Sequence, residues 1–150
     1  MPDKETLNRA KADAKEGKSA STQAGEFVRE EVHHIREGKH GARSAKQAIA
    51  IGLSKARRAG VKLPPPKASN SSANTRHKAE LDSVAGEHPH KVSARRSRAT
   101  ENALKHEGHS AGSELALSRQ THASAAKRTK KDRSASAKKA AKTRARSNSR

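Results

Sequence analysis

Nine histidines and fifteen carboxylate side chains in a chain of 150 residues raise metal binding and acid–base chemistry as the first questions. His33, His34 and His40 lie near Glu30 and Glu37 in sequence. The adjacent His33 and His34, however, diverge by about 100° on a helix and do not naturally face one ion. The tetrapeptide HEGH at 106–109 lacks the HExxH spacing that sets two imidazoles one turn apart on a single face. The histidines therefore read as solvent-facing groups, and neither a metal nor a cofactor is expected. Cysteine is absent, which removes thiolate nucleophiles and zinc–thiolate sites and fits a reducing compartment. There is no glycine-rich phosphate loop and no nucleophile–base pair in recognisable context. The apolar content is also too small to wall off a dry pocket, so the chain reads as a non-enzyme.

The basic residues carry a stronger signal. Thirty-four Lys and Arg against fifteen acids give a formal charge of +19 and a pI near 11.0, an excess that calls for counterions or a polyanion, most commonly nucleic acid. The charge is unevenly placed. Residues 1–66 hold 14 basic and 8 acidic side chains, residues 67–125 hold 9 and 6, and residues 126–150 hold 11 and 1. The last segment contains Lys127, Arg128, Lys130, Lys131, Arg133, Lys138, Lys139, Lys142, Arg144, Arg146 and Arg150 among Ala and Ser, a composition suited to neutralising phosphates and releasing counterions. No aromatic residue interleaves these cations, so single-stranded bases find no stacking platform and duplex DNA is favoured.

The elements that must position these groups are helical. In STQAGEFVREEVHHIREG, the apolar Ala24, Phe27, Val28, Val32 and Ile35 follow the rhythm of one helical face, with Ser21 or Thr22 to cap the start and Gly38 to end it. Ser44 and Gln47 have capping-box spacing before Ala45, Ala48, Ile49, Leu53 and Ala56. Gly60 and the run Pro64, Pro65, Pro66 stop that second helix. The spacing predicts a helical hairpin over about 22–37 and 44–59. Residues 3–16 form a weaker helix that could pack as a third.

The expected fold class is mainly α with extensive disorder: the hairpin, extra short helices, and a basic disordered C-terminal tail. Leu, Ile, Val and Phe number only 16, about 11% of the chain, well under the roughly 20% below which a highly charged chain stays largely disordered. Residues 1–63 are the small helical region, 64–96 a linker rich in Pro, Ser and His, 97–128 weak helical segments, and 129–150 the tail. With so few large apolar side chains, the hairpin stands as a loosely stable monomer, a homodimer, or a segment ordered by a partner. Glu–Gly followed by a Ser-capped helix occurs at 37–38 and again at 107–108, a weak hint of duplication.

Within the hairpin, the second helix presents Lys46, Lys55, Arg57 and Arg58, a basic face available for phosphates. The first helix carries Glu26, Glu30, Glu31 and Glu37 and suits a scaffold. Glu31 is the odd residue, lying on the apolar stripe between Phe27 and Ile35. It either reaches water from the edge of the stripe or pairs specifically with Arg43, Lys46 or Lys55 to fix the hairpin register. A sequence-reading helix-turn-helix would place Ser44, Lys46 and Gln47 at the front of its recognition helix, but the connection GKHGAR is longer than usual for that motif.

The segment GEFVREEVHHIREGKHGARSAKQAIAIGLSKARRAGVKLPPP, with SRATENALKHEG and ALSRQ further on, resembles an uncharacterised family of small basic bacterial proteins with a Ser, Ala, Lys and Arg-rich C-terminus. The resemblance includes the helical segment KQAIAIGLSKARRAG. The resemblance implies this organisation and a bacterial origin, with no mechanism attached. The tail separately resembles the C-terminal arms of linker-histone-like bacterial proteins, although it lacks their proline-spaced basic repeats.

Residues 46, 55, 57, 58 and 127–150 are thus the expected contacts to nucleic acid, with no catalytic or metal-binding residue. A nucleoid-associated, histone-like binder of duplex DNA is the leading expectation. The rivals are a protein-interaction or stress-related module with a solubilising tail, and an RNA- or ribosome-associated factor. No run approaches the roughly 18 apolar residues of a membrane span, and the N-terminus lacks a signal segment, so the expected location is the cytoplasm, at the nucleoid.

Overall fold

Phe27 and Ile35, both essentially inaccessible to solvent, anchor two small apolar clusters around which the helices assemble. The computed structural model describes residues 2–89 and 92–148, without the side chains of Asn70 and residues 146–148. Among these residues the elements are α1 (Lys4–Lys15), α2 (Ala20–Arg36), α3 (Ala45–Arg58), α4 (Ala73–Glu87), α5 (Ala94–Lys105), α6 (Glu114–Ala126) and α7 (Lys130–Asn148), with 3-10 turns at Ala68–Asn70 and Ser110–Gly112. The chain divides into two compact units, Met1–Leu117 and Ser118–Arg150.

The hairpin forms for the reasons its sequence gives. Ser44 Oγ accepts from the Gln47 amide at 3.2 Å, and Gln47 Oε1 accepts in return from the Arg43 amide at 2.8 Å, a reciprocal cap. The α2 cap is Ser19, whose Oγ accepts from the Thr22 amide, so this helix starts slightly earlier than Ser21 or Thr22 would set it. Gly38 and Gly60 follow the helix ends at φ of 75° and 88°, the left-handed conformation that favours glycine. Gly52 lets α2 and α3 approach. A Cβ there would stand 2.7 Å from Val28 Cα.

The helix over 4–15 does pack as a third. Ala10 of α1 joins Ala24, Phe27 and Ala56 in one buried cluster, flanked by Leu7, Leu53, Val61 and Leu63. Ile35, Ala42, Ala48 and Ala111 form the second. The second is completed by a segment distant in sequence. The Gly41 and Ala42 amides donate to the carbonyls of Leu104 and Gly108 at 2.8 and 3.0 Å, and Arg36 Nε donates to the Gly112 carbonyl at 2.6 Å. The later Glu–Gly segment therefore lies against the α2–α3 connection, with the Gly108 carbonyl on the Ala42 amide.

Two expectations need correction. Residues 64–96 are not simply a linker, since they contain α4, capped by Ser72 and packed against α3. Its attachment is polar, which is why no apolar period marks it: Asp82 accepts from Ser54 Oγ and from Arg58 Nε, the latter at 2.6 Å, while Ala79 is its one buried residue. Nor is the basic C-terminus disordered over 130–148, where it forms α7. The disorder expectation weighed charge density and missing apolar side chains. The helix needs neither, because Ala, Lys and Arg are strong helix formers and the Thr129 hydroxyl caps its start by accepting from the Asp132 amide at 3.1 Å.

Candidate nucleic-acid interface and a buried polar cluster

On α3 the expected basic face is largely committed to the fold. Lys46 is exposed. Lys55 is directed toward α2, its Nζ 2.6 Å from Glu31 Oε2 and 3.6 Å from Glu30 Oε1. Arg57 is only 7% exposed; its guanidinium donates to the carbonyls of Leu63 and Pro64 at 3.3 and 3.2 Å and so fastens the proline run back onto α3. Burial lowers the Arg57 pKa against the opposing pull of Asp82, yet a guanidinium stays cationic at neutral pH. Arg58 is more than half exposed but pairs with Asp82. The hairpin thus offers Lys46 and part of Arg58 to an outside anion, with the other two cations turned inward.

The C-terminal cations stand differently. Lys127, Arg128, Lys130, Lys131, Arg133, Lys138, Lys139, Lys142 and Arg144 are all exposed. Arg128 caps locally, donating to the Asp132 carbonyl at 3.0 Å and to Ser136 Oγ. At 100° per residue the cations of α7 cover about two-thirds of its circumference, leaving a strip with Asp132, Ser136, Ala140 and Thr143. Such a helix has no single docking face. The side chain of Arg146 and all of Arg150 lie outside the described residues.

A second group of functional side chains is assembled in the hairpin interior. Glu31 is not at the edge of its stripe; it is fully buried, and Glu30 beside it is 5% exposed. Of the partners the sequence offered Glu31, Lys55 is the one in place. Glu30 Oε2 accepts from the Asp3 amide at 3.1 Å, which brings the N-terminus over α2. The Asp3 carboxylate meets His34 Nε2 at 3.2 Å, and that hydrogen bond holds its pKa below the usual carboxylate value. His40, on the α2–α3 connection, places Nε2 3.3 Å from Glu31 Oε1, while its ring meets that of His34 edge to face. Glu30 Oε1 and both Glu31 carboxylate oxygens are buried without a hydrogen bond; Lys55 neutralises Glu31 as an ion pair only.

The histidine expectation is therefore corrected in part. His33 is exposed and pairs with Glu37 at 3.1 Å, but His34 and His40 are turned into this cluster, with side chains 12% and 15% exposed. The signal that could have found it is the i, i+3 spacing of Glu31 and His34, which sets both on one helical face.

Residues 4–67 match a family of unknown function, DUF6496. The matched segment spans α1 to α3 and holds Glu30, Glu31, His34, His40 and Lys55; it ends before α4 and excludes the basic C-terminus. It agrees with the expected uncharacterised family for that part of the chain. No curated protein and no solved structure matches. Among the described residues no helix is long and apolar enough to cross a membrane.

Proposed function

We propose that the protein binds nucleic acid, duplex DNA foremost, by neutralising phosphates without reading bases. The observation that carries this reading is the C-terminal segment, with eleven basic side chains against one acidic residue in 126–150 and a 19-residue helix whose cations surround most of its circumference. At 1.5 Å per residue that helix is about 28 Å long, comparable with one turn of duplex. A helix with cations over about two-thirds of its circumference suits phosphate contact in many orientations and lacks the single face that base reading needs. Lys46 adds to this from the hairpin, with Arg58 secondary. A nucleoid-associated, histone-like role in the cytoplasm follows from the same reading, and neither catalysis nor a cofactor enters it.

The test is binding of the full chain to random-sequence duplex DNA across a salt series. A log–log slope near −0.9 per neutralised phosphate, with ~6–10 phosphates involved, is expected. Replacing Lys138, Lys139 and Lys142 by Gln should flatten the slope by about 2.7 for the three contacts removed. Weak binding at low salt overturns the proposal and favours a protein partner, for which Leu81 and Val84, both about half exposed on α4, are the apolar residues to try first. Tighter binding to structured RNA than to DNA of equal length moves the assignment to an RNA-associated factor.

A further inference from the structure

Three carboxylates, from Asp3, Glu30 and Glu31, converge on one ammonium, Lys55, and two imidazoles, His34 and His40. Asp3 is 58% exposed and set against His34, so within the hairpin two buried carboxylates, Glu30 and Glu31, share the one ammonium of Lys55. Glu30 and Glu31 are withdrawn from water, where uncompensated charge is costly.

His40 locates the deficit. Its Nδ1 lies 3.1 Å from the Gly41 carbonyl oxygen. A carbonyl only accepts, so Nδ1 carries the hydrogen in that contact, and Nε2 is the nitrogen left to take a proton or a metal ion. Nε2 stands 3.3 Å from Glu31 Oε1 without the alignment of a hydrogen bond, and that oxygen is buried without a donor. A proton on Nε2 leaves this oxygen without a well-aligned donor, whereas a metal ion between the two atoms would serve both.

We propose that Glu31, His34 and His40 form a site for a divalent transition-metal ion, Zn2+ by the chemistry of its donors. Two imidazole nitrogens and one carboxylate oxygen suit Zn2+ and its neighbours in the first transition row, whereas Mg2+ and Ca2+ take oxygen donors. One donor atom from each of the three residues lies within 4.8 Å of the others; binding through His34 Nε2 would replace the hydrogen bond that nitrogen makes to Asp3. Tetrahedral bonds of ~2.1 Å would set them about 3.4 Å apart, a closure that rotation of His40 on the inter-helix connection can supply. An ion between Glu31 Oε1 and His40 Nε2 leaves Lys55 on Oε2, where it already stands, so the carboxylate serves both. The Gly41 carbonyl on the far nitrogen of His40 is the outer partner that orients a metal-bound imidazole. A divalent ion also supplies positive charge beside two buried carboxylates that share one ammonium. The site is independent of the nucleic-acid reading and lies in a different part of the chain from α7.

Full-length protein stripped with a chelator, then titrated with Zn2+ and separately with Co2+, tests this through calorimetry, thermal unfolding and the visible absorption of Co2+. One saturable site, a raised Tm with Zn2+ and a tetrahedral Co2+ band are expected. His34→Ala and His40→Ala should each weaken uptake by at least about tenfold, while His33→Ala, at the exposed neighbouring position, should leave it unchanged. Since Glu31→Gln disturbs the interior itself, His40→Ala on the connection carries the decision. Absence of saturable uptake overturns the proposal, as does uptake equally strong in the His34 and His40 variants, which places the ion on surface histidines.

Discussion

Lys55 of α3 and Glu31 of α2 meet at 2.6 Å with the carboxylate fully buried and the lysine side chain one-quarter exposed. The contact joins the two helices of the hairpin through a charge that water cannot reach from the glutamate side. Removing one partner is then a different experiment from removing both. Lys55→Met strands a buried carboxylate and should cost about 3 kcal/mol, whereas the double variant Glu31→Gln with Lys55→Met should recover most of that loss. Chemical denaturation of the unmodified protein and the two variants under one buffer checks it; equal stability of single and double variants would show that the pair does not couple the helices.

Gly52 and Gly25 separate helix propensity from packing. Alanine is the better helix former by about 1 kcal/mol, and at Gly25, where an added Cβ meets nothing within 4 Å, Gly→Ala should stabilise by ~0.5–1 kcal/mol. At Gly52 the same change drives Cβ against the Val28 backbone, and a net loss of ~1–3 kcal/mol is expected from forced separation of α2 and α3. Melting curves of the two variants should move in opposite directions.

Asp82 holds α4 to α3 by accepting from Ser54 and Arg58. Asp82→Ala should therefore release α4 selectively, at a cost of ~1 kcal/mol or somewhat more. Amide exchange should quicken across 73–87 while the protection of α2 persists. Uniform loss of protection throughout the hairpin would show that α4 is integral to it.

Arg57 and the α7 lysines are expected to part company. Arg57→Ala removes two hydrogen bonds to the Leu63 and Pro64 carbonyls from a buried position, so stability should fall by ~2–3 kcal/mol. The salt dependence of DNA binding should stay as it was. A flatter salt slope in the folded Arg57→Ala protein would place this residue at the interface after all.

The hairpin was legible because it obeys a period: Ala24, Phe27, Val32 and Ile35 repeat at helical spacing and are buried, and Ser44 with Gln47 announces the second start. The helix α4 was hidden because its attachment is made by one aspartate, and α7 because propensity alone, without any apolar stripe, holds a helix of alanines and cations. Of the interior cluster, Glu31 was conspicuous on the stripe and Lys55 was among its named partners. His34 is marked only by its i, i+3 spacing from Glu31, and His40 not at all, since the chain must turn at Gly38 to bring it back to the face that Glu31 and His34 share, and that return is tertiary information. Likewise, nothing in the spacing tells that Arg57 bends back to two carbonyls instead of facing solvent.

The docking of residues 104–112 on the α2–α3 connection also bears on how the molecule is made. Helices α1 to α3 are contiguous and can assemble while the chain is still being synthesised. Ala111, however, belongs with Ile35, Ala42 and Ala48, and the Gly41 and Ala42 amides find their acceptors at Leu104 and Gly108. Until that later segment leaves the ribosome, the underside of the hairpin has an open apolar patch and two unanswered amides. Closing it means joining a loop of more than sixty residues, from Gly41 to Leu104, a slow non-local step relative to helix formation. The nascent hairpin therefore passes through a sticky interval, and any truncation before residue 111 prolongs that interval for the life of the chain.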